Sequence, residues 1–316
     1  MFNVKISDVG HYVPDNVVSN IDLEKYVDTN DEWIYTRTGI KNRRISLEEN
    51  TTDLAYKAVK DLDLEDVDLI VFASFTPDKL APHSAAILKK KLGINASTCL
   101  DLNVGCTGYI YALKVALSML QIGLHKKALV VGSEVISKVL DWKDRSTCVL
   151  FGDGAGAMVL EKSDEAKFYS IYTNSIDDID NSLYVDGVEN SNFMKKGDVS
   201  NQVVKMDGTK VFKFATKAVS DGIENALIQS KLTLDDVSYI VPHQANERII
   251  KNVSKGKKIP LNKFYLNIDS YGNTSSASIP IAFSEAVKKG IIKRNDKIMF
   301  VGFGAGLTWG STIFKF

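Results

Sequence analysis

A cysteine held between two glycines, Gly105-Cys106-Thr107-Gly108, separates an apolar strand end at residues 100–104 from an apolar run, Tyr109 to Leu120. The run has no proline or internal glycine, its one charge is Lys114, and its Ala, Leu and Met content marks a largely buried helix. Cys106 is therefore expected at that helix's first turn, where unpaired backbone N–H groups and the positive dipole end favour a thiolate over a thiol. A lone cysteine is more often an inert buried thiol. The flanking glycines, which let a ligand or a second backbone come close to the sulfur, argue for a nucleophile. A nucleophile in turn requires a base, further hydrogen-bond donors and a path for substrate.

Two later side chains could supply them. His243 follows an apolar strand in Val241-Pro-His-Gln-Ala-Asn246; taken alone it fits a structural histidine as well as a catalytic one. Asn273 lies in Tyr271-Gly-Asn-Thr-Ser-Ser-Ala-Ser-Ile-Pro280, where a turn or helix N-cap is the alternative. The glycine loop Gly302-Phe-Gly-Ala-Gly306 lacks the third glycine of GxGxxG and runs into Leu307-Thr-Trp instead of a helix, so a dinucleotide loop is rejected. A turn that aims backbone N–H groups at a developing oxyanion suits it better.

The elements that would position these residues alternate. Strands are expected at 2–9, 66–74, 128–132, 157–160, 237–241, 264–268, 297–301 and 307–316. Helices are expected at 22–27, from Thr51/Thr52 as caps through Leu62, from Pro82 to Leu92, at 211–229, after His243, and at 275–289. Ala128-Leu-Val-Val-Gly132 shows no polar alternation, as in a sheet covered on both faces. Residues 174–202, rich in Asp, Asn, Ser and Gly, read as a long functional loop.

The two halves repeat. Asp66-Val-Asp-Leu-Ile-Val aligns with Asp236-Val-Ser-Tyr-Ile-Val, and Lys127-Ala-Leu-Val-Val-Gly132 with Lys297-Ile-Met-Phe-Val-Gly302, each at 170 residues (236 − 66, 297 − 127). That register sets Cys106 against Ser276 and implies two similar halves, 1–165 and 166–316, about a pseudo-twofold axis. Equivalent loops would then meet, bringing Cys106 of one half to His243 and Asn273 of the other.

Composition narrows the class. The chain has 316 residues, 39 basic and 39 acidic side chains and three cysteines without CxxC or Cys/His clustering, which argues against a disulfide framework or a structural zinc site. Zero net charge gives no field that selects nucleic acid, and no apolar run spans a bilayer. A cytoplasmic protein free of metal is expected. Between Arg248 and Lys263 six basic residues stand with no acidic one, either a solvated face or a docking patch for an acidic partner.

Together, Asp31-Glu-Trp-Ile-Tyr-Thr-Arg-Thr-Gly-Ile40, Gly105-Cys-Thr-Gly108, Phe151-Gly-Asp-Gly-Ala-Gly156, His243-Gln-Ala-Asn246, Gly272-Asn-Thr-Ser275 and Gly302-Phe-Gly-Ala-Gly-Leu-Thr-Trp-Gly310 resemble β-ketoacyl-acyl-carrier-protein synthase III, the initiating condensing enzyme of type II fatty-acid synthesis. The resemblance covers nearly the whole chain. It implies an α/β, thiolase-like five-layered αβαβα sandwich with internal duplication, usually a homodimer. It implies that Cys106 takes an acyl group from acyl-CoA as a thioester. His243 and Asn273 then hydrogen-bond the malonyl thioester as enolate charge develops, and backbone N–H groups of Cys106, Gly304 and Ala305 hold the acyl oxyanion. No resident cofactor is implied. Trp33 and Arg145 would flank the adenine of CoA, Arg37 its phosphates, and Gly208, Phe212, Ala245 and Asn246 its pantetheine arm. Lys213, Arg248, Lys255 and Lys257 would meet the acyl carrier protein. Ala81 and Phe151 would shape the acyl pocket, Ala81 from across the dimer. Ala81 is smaller than the family's usual Phe or Met, and the loop around 180–200 departs as well. Cys99 and Cys148 read as inert. The competing functions are a related acyltransferase of secondary metabolism or signalling and a non-catalytic acyl-CoA-binding protein.

Overall fold

The computed structural model describes residues 1–190, 194 and 202–316. Two sheets carry the chain. In the first, Val4–Tyr12, Gly154–Lys162, Lys127–Glu134, Leu69–Ala73 and Thr98–Leu102 lie side by side in that order. In the second the order is Tyr239–Pro242, Lys297–Gly304, Thr308–Lys315 and Phe168–Ser175. Every residue of Leu69–Ala73 and of Lys127–Glu134 is buried, as the unbroken apolar runs require of strands covered on both faces.

Helices fill the remaining three layers. Thr51–Val59 and Ser84–Leu92 cover the outer face of the first sheet, while Gly208–Ser230 covers that of the second, with Glu247–Lys257 packed beside it. Between the sheets lie Gly108–Gln121 and Ser278–Lys288, which touch both. Their apolar faces join Val71 and Val130 of one sheet to Phe300 and Phe314 of the other in one continuous core. The five-layered α/β architecture is as expected. No helix among the described residues is long and apolar enough to cross a membrane.

The duplication holds in detail. Strand Lys127–Glu134 and strand Lys297–Gly304 keep the 170-residue separation (297 − 127), as do the 3₁₀ turns Gly105–Thr107 and Ser275–Ala277 (275 − 105) and the helices that follow them. Even the backbone strain is copied: Gly105 has φ 49° and Ser275 φ 51°.

Several boundaries differ from the sequence reading. No strand forms at 264–268. Tyr265 N–H still bonds Ile240 O at 2.9 Å, but Asn267 N–H turns to the Gln244 side chain at 3.1 Å, and the chain then winds into Ile268–Tyr271. Thr51 and Thr52 do not cap their helix; Asn50 does, and the two hydroxyls tie the helix to Thr76 and Asp78. The next helix opens at Ser84 rather than Pro82, because the Asp101 carboxylate accepts from Ser84 N at 2.7 Å and Ala85 N at 2.8 Å. Near residue 22 only Asn20–Leu23 is helical. The glycine loop expected at Gly302–Gly306 is strand as far as Gly304, and the strand expected from residue 157 already begins at Gly154. Within the expected loop at 174–202, Leu183–Val185 pairs with Val204–Met206; residues 191–193 and 195–201 lie outside the described residues.

Candidate active site

Cys106 sits in the 3₁₀ turn just before the buried helix, not in the helix itself. The second half closes over it. A Cβ on Gly304 would stand 2.9 Å from Cys106 N and 3.0 Å from Thr107 N, so only glycine lets the hairpin end lie against the nucleophile. Thr308 Oγ1 donates to Thr107 Oγ1 at 2.9 Å and locks hairpin and turn together. Ser275 Oγ donates to Cys106 Sγ at 3.3 Å. Burial pushes the Cys106 thiol up to about 12; the Ser275 hydrogen bond pulls it down, and the charge of Glu134 adds to the rise. Burial thus works against the thiolate expected at the helix terminus, and the Ser275 hydroxyl works for it.

His243 leaves the end of Tyr239–Pro242 with its backbone N–H on Val301 O at 2.8 Å and its ring edge-on to Phe303 at 5.1 Å. Its Nδ1 meets Ser278 Oγ at 2.6 Å, which leaves Nε2 for a ligand. Burial lowers the imidazole to about 3, so it is neutral. Ser278 Oγ accepts from Gln244 N at 3.4 Å, which leaves its hydrogen for Nδ1; when it donates there, the imidazole hydrogen is on Nε2, the form that can donate to a carbonyl oxygen.

Asn273 is fixed by its backbone, N–H to Leu150 O at 2.8 Å and O to Gly152 N at 3.0 Å. That approach explains Gly152 of the Phe151–Gly156 motif, since a Cβ there would fall 2.3 Å from Tyr271 O. Asn273 Oδ1 accepts from Ser275 N at 2.8 Å, so the carboxamide's free group is its NH₂ donor. Ser275 thus touches both Cys106 and the Asn273 turn, and Ser278 one helical turn on touches His243. Hydrogen bonds run from Cys106 through Ser275 to Asn273, and Ser278, whose N–H bonds Ser275 O, reaches His243; all three predicted residues are buried. A thiol, two neutral donors and a glycine hairpin at the sulfur have the components of acyl transfer through a thioester.

The outer residues fall along one face. Arg37 and Arg145 place their guanidinium carbons 4.7 Å and 5.2 Å from the Trp33 ring, so the indole is already stacked by cations. Asn246 Nδ2 donates to Arg37 O at 3.0 Å, tying the helix Asp31–Thr38 to the start of Glu247–Lys257 and, through half-buried Ala245, back to His243. Arg248 lies 5.6 Å from the Phe212 ring, one turn into the helix that opens at Gly208. Phe212, Lys213 and Lys217 face Val253, Gly256 and Lys257 across a groove of ≈ 620 Å³. Lys255 is exposed beside it, and Lys257 pairs with Glu224. Phe151 bridges to Asn273 and packs with Ile136, Leu140 and Val204. Ala81 is exposed on the chain's own surface.

Sequence reasoning missed Ser275, Ser278 and Glu134. Ser275 and Ser278 lie in the same stretch as Asn273, residues 271–280, with no spacing that singles out either hydroxyl. Glu134 ends an apolar strand, a place where a charge is ordinarily at the surface. It is wholly buried.

Residues 100–178 and 227–316 match the family models for 3-oxoacyl-[acyl-carrier-protein] synthase III and its C-terminal region. The chain is 47% identical to the β-ketoacyl-[acyl-carrier-protein] synthase III of Clostridium novyi, over all of this chain and 99% of that one, and 45% identical to that of Clostridium acetobutylicum over the same shares. The 3-oxoacyl-[acyl-carrier-protein] synthase III of Aquifex aeolicus superposes with a TM-score of 0.92 at 40% identity, covering 99% of this chain and 100% of that one. The priming β-ketosynthase of the R1128 polyketide pathway superposes at 0.89 with 30% identity over 99% and 96% of the two chains. Full-length identity of this order, on a fold that joins Cys106 to His243 and Asn273, leaves one conclusion: the chain belongs to the β-ketoacyl-acyl-carrier-protein synthase III family of condensing acyltransferases.

Proposed function

We propose that the chain joins an acyl-CoA to malonyl-acyl-carrier protein, with loss of CO₂, to give 3-oxoacyl-acyl-carrier protein at the start of fatty-acid synthesis. The Cys106 sulfur attacks the acyl carbonyl, CoA leaves as its thiol with the proton that Cys106 gives up, and an acyl-cysteine remains. Backbone N–H groups of Cys106 and of the Gly304–Ala305 turn receive the oxyanion. Malonyl-acyl-carrier protein then loses CO₂. His243 Nε2–H and the Asn273 NH₂ stabilise the enolate oxygen while the carbanion attacks the thioester, and a proton restores the Cys106 thiol. Both donors are neutral and dry, so they meet developing negative charge without an ion that must first be desolvated.

The observation that carries this reading is the contact chain Cys106–Ser275–Asn273, with Ser278–His243 beside it, supplied by two different halves of the fold. CoA would enter over Trp33, Arg37 and Arg145 and extend its pantetheine arm past Gly208, Phe212, Ala245 and Asn246. The groove beside Lys213, with Arg248, Lys255 and Lys257, suits the acidic helices of a carrier protein. A homodimer is supported by Thr98–Leu102, which pairs on one edge only among the described residues, and by the adjoining exposed Leu80-Ala-Pro82. The enzyme would work in the cytoplasm, without metal or resident cofactor.

Labelled acyl-CoA tests the nucleophile: trapped acyl-enzyme is expected in the wild type, and label retained by Cys106→Ala would overturn the assignment. A second reading, a condensing enzyme of secondary metabolism, is favoured by the R1128 likeness. Rates across straight and branched acyl-CoAs, with malonyl carriers against small acceptors, decide between them.

A further inference from the structure

The repeat places a second polar centre behind the first. A step of 170 residues carries Cys106 to Ser276, Asn103 to Asn273 and Glu134 to Gly304 (276 − 106, 273 − 103, 304 − 134). The backbone keeps the correspondence: Gly105 N donates to Asn103 Oδ1 at 3.4 Å, as Ser275 N does to Asn273 Oδ1 at 2.8 Å. The chemistry departs from it. The active centre sets a sulfur beside a glycine; its counterpart sets a hydroxyl beside a carboxylate. Ser276 Oγ donates to Glu134 Oε1 at 2.8 Å, with Ala73 O as a second acceptor at 3.1 Å.

Glu134 is surrounded by donors. Thr76 Oγ1 stands at 2.5 Å, Ser74 Oγ at 3.0 Å, Thr76 N at 3.2 Å and Phe75 N at 3.3 Å, in addition to Ser276. Such a set holds a carboxylate in one orientation. What it anchors is the turn that serves the sulfur. Ser276 is flanked by Ser275, whose hydroxyl rests on Cys106, and lies three residues beyond Asn273. Gly132, two residues before Glu134, admits the Ser276 carbonyl where a Cβ would stand at 2.6 Å.

We propose that Glu134 is a positioning residue for the condensation. Through Ser276 it fixes the turn that lays the Ser275 hydroxyl on Cys106 and presents Asn273. Other ionisable groups lie around it. Lys138, from the turn after its strand, donates to Thr76 O at 2.9 Å and Pro77 O at 3.2 Å, with Asp78 and Asp153 acting on the ammonium. Helix Thr51–Val59 meets the cluster through Thr51, and helix Gly108–Gln121 through Tyr109, whose hydroxyl burial keeps neutral. The turn at 275–277 brings two serines and an alanine. Burial raises Glu134 to about 7 against the pull of its donors, and its negative charge opposes ionisation of Cys106.

The inference rests on Cys106 as nucleophile, so the test reads the sulfur directly as well as turnover. Iodoacetamide labelling of Cys106 against pH, and the two half-reactions, are measured for Glu134→Gln and Glu134→Ala. Glu134→Gln keeps an acceptor for Ser276, and its condensation is expected to stay within about threefold of wild type. Glu134→Ala loses the anchor; condensation by pre-acylated enzyme is expected to slow about tenfold at an unchanged KM for acyl-CoA. An equal loss of condensation in Glu134→Gln and Glu134→Ala would overturn the proposal. So would a loss in Glu134→Ala that vanishes once rates are corrected for the folded fraction. Should Glu134→Ala fail to fold, Ser276→Ala, which removes the other end of the bond, decides: unchanged condensation there would overturn the proposal. Labelling at Cys106 that slows in Glu134→Ala, with no condensation in the wild type, would defeat the proposed function and leave only the seating of the 275–277 turn on the sulfur.

Discussion

Gly304→Ala tests the hairpin that closes the site. The added methyl would meet Cys106 N at 2.9 Å, Thr107 N at 3.0 Å and Cys106 Cβ at 3.1 Å, two of them backbone atoms that cannot swing aside. Reaching ordinary contact, near 3.5 Å, requires the hairpin and the nucleophile turn to part by about half an ångström. An oxyanion donor works at about 2.7–3.1 Å, so a retreat of that size removes most of one donor, on the order of 3 kcal/mol or about 100-fold in rate. Overpacking lowers stability by about 1–3 kcal/mol besides. The same carbonyl oxygen occupies the hole in both half-reactions. Rapid-quench measurement with labelled acyl-CoA should therefore show acylation and condensation falling together, while iodoacetamide still labels Cys106 at its usual rate. Wild-type acylation by folded Gly304→Ala protein would refute the placement of the hole.

His243→Ala and Asn273→Ala should acylate normally and lose condensation by about 100-fold, the scale of one lost oxyanion donor; equal loss of both half-reactions would contradict the division of labour. Ser278→Ala leaves His243 Nδ1 without its partner, and condensation should slow about 5- to 30-fold, matching about 1–2 kcal/mol for one buried hydrogen bond, with acylation intact. Binding of the carrier protein, followed by fluorescence anisotropy, should weaken as salt rises and more steeply in wild type than in Lys213→Glu. Burial and the nearby Lys288 lower His11 from 6.5 to about 4, so the unfolded chain binds the extra proton; stability from this group is complete above 6.5 and lost as pH falls through 4. Melting temperature should thus decline less between pH 6.5 and 4 in His11→Gln than in wild type.

The fold was readable because its signals are local or repeated. Unbroken apolar runs gave the covered strands, and a register of 170 residues gave the pairing of Cys106 with the 273–276 turn before any contact was known. What escaped depended on side chains that answer to distant partners. The strand expected at 264–268 fails because Gln244, twenty-three residues earlier, captures the Asn267 N–H. The helix expected from Pro82 begins later because Asp101, on a strand still to come, supplies its cap. The thiolate expected at Cys106 is opposed by burial, which no single stretch reveals. Ser278 and Glu134 likewise carry no pattern of their own; each matters through one atom of another element.

The Thr107–Thr308 hydroxyl clasp has a mechanical consequence. It spans the line along which the two halves meet, so the gap between sulfur and hairpin measures how well the halves are seated. Thr308→Val, which removes that hydroxyl without touching a residue that meets substrate, would therefore loosen the fit of hairpin to sulfur.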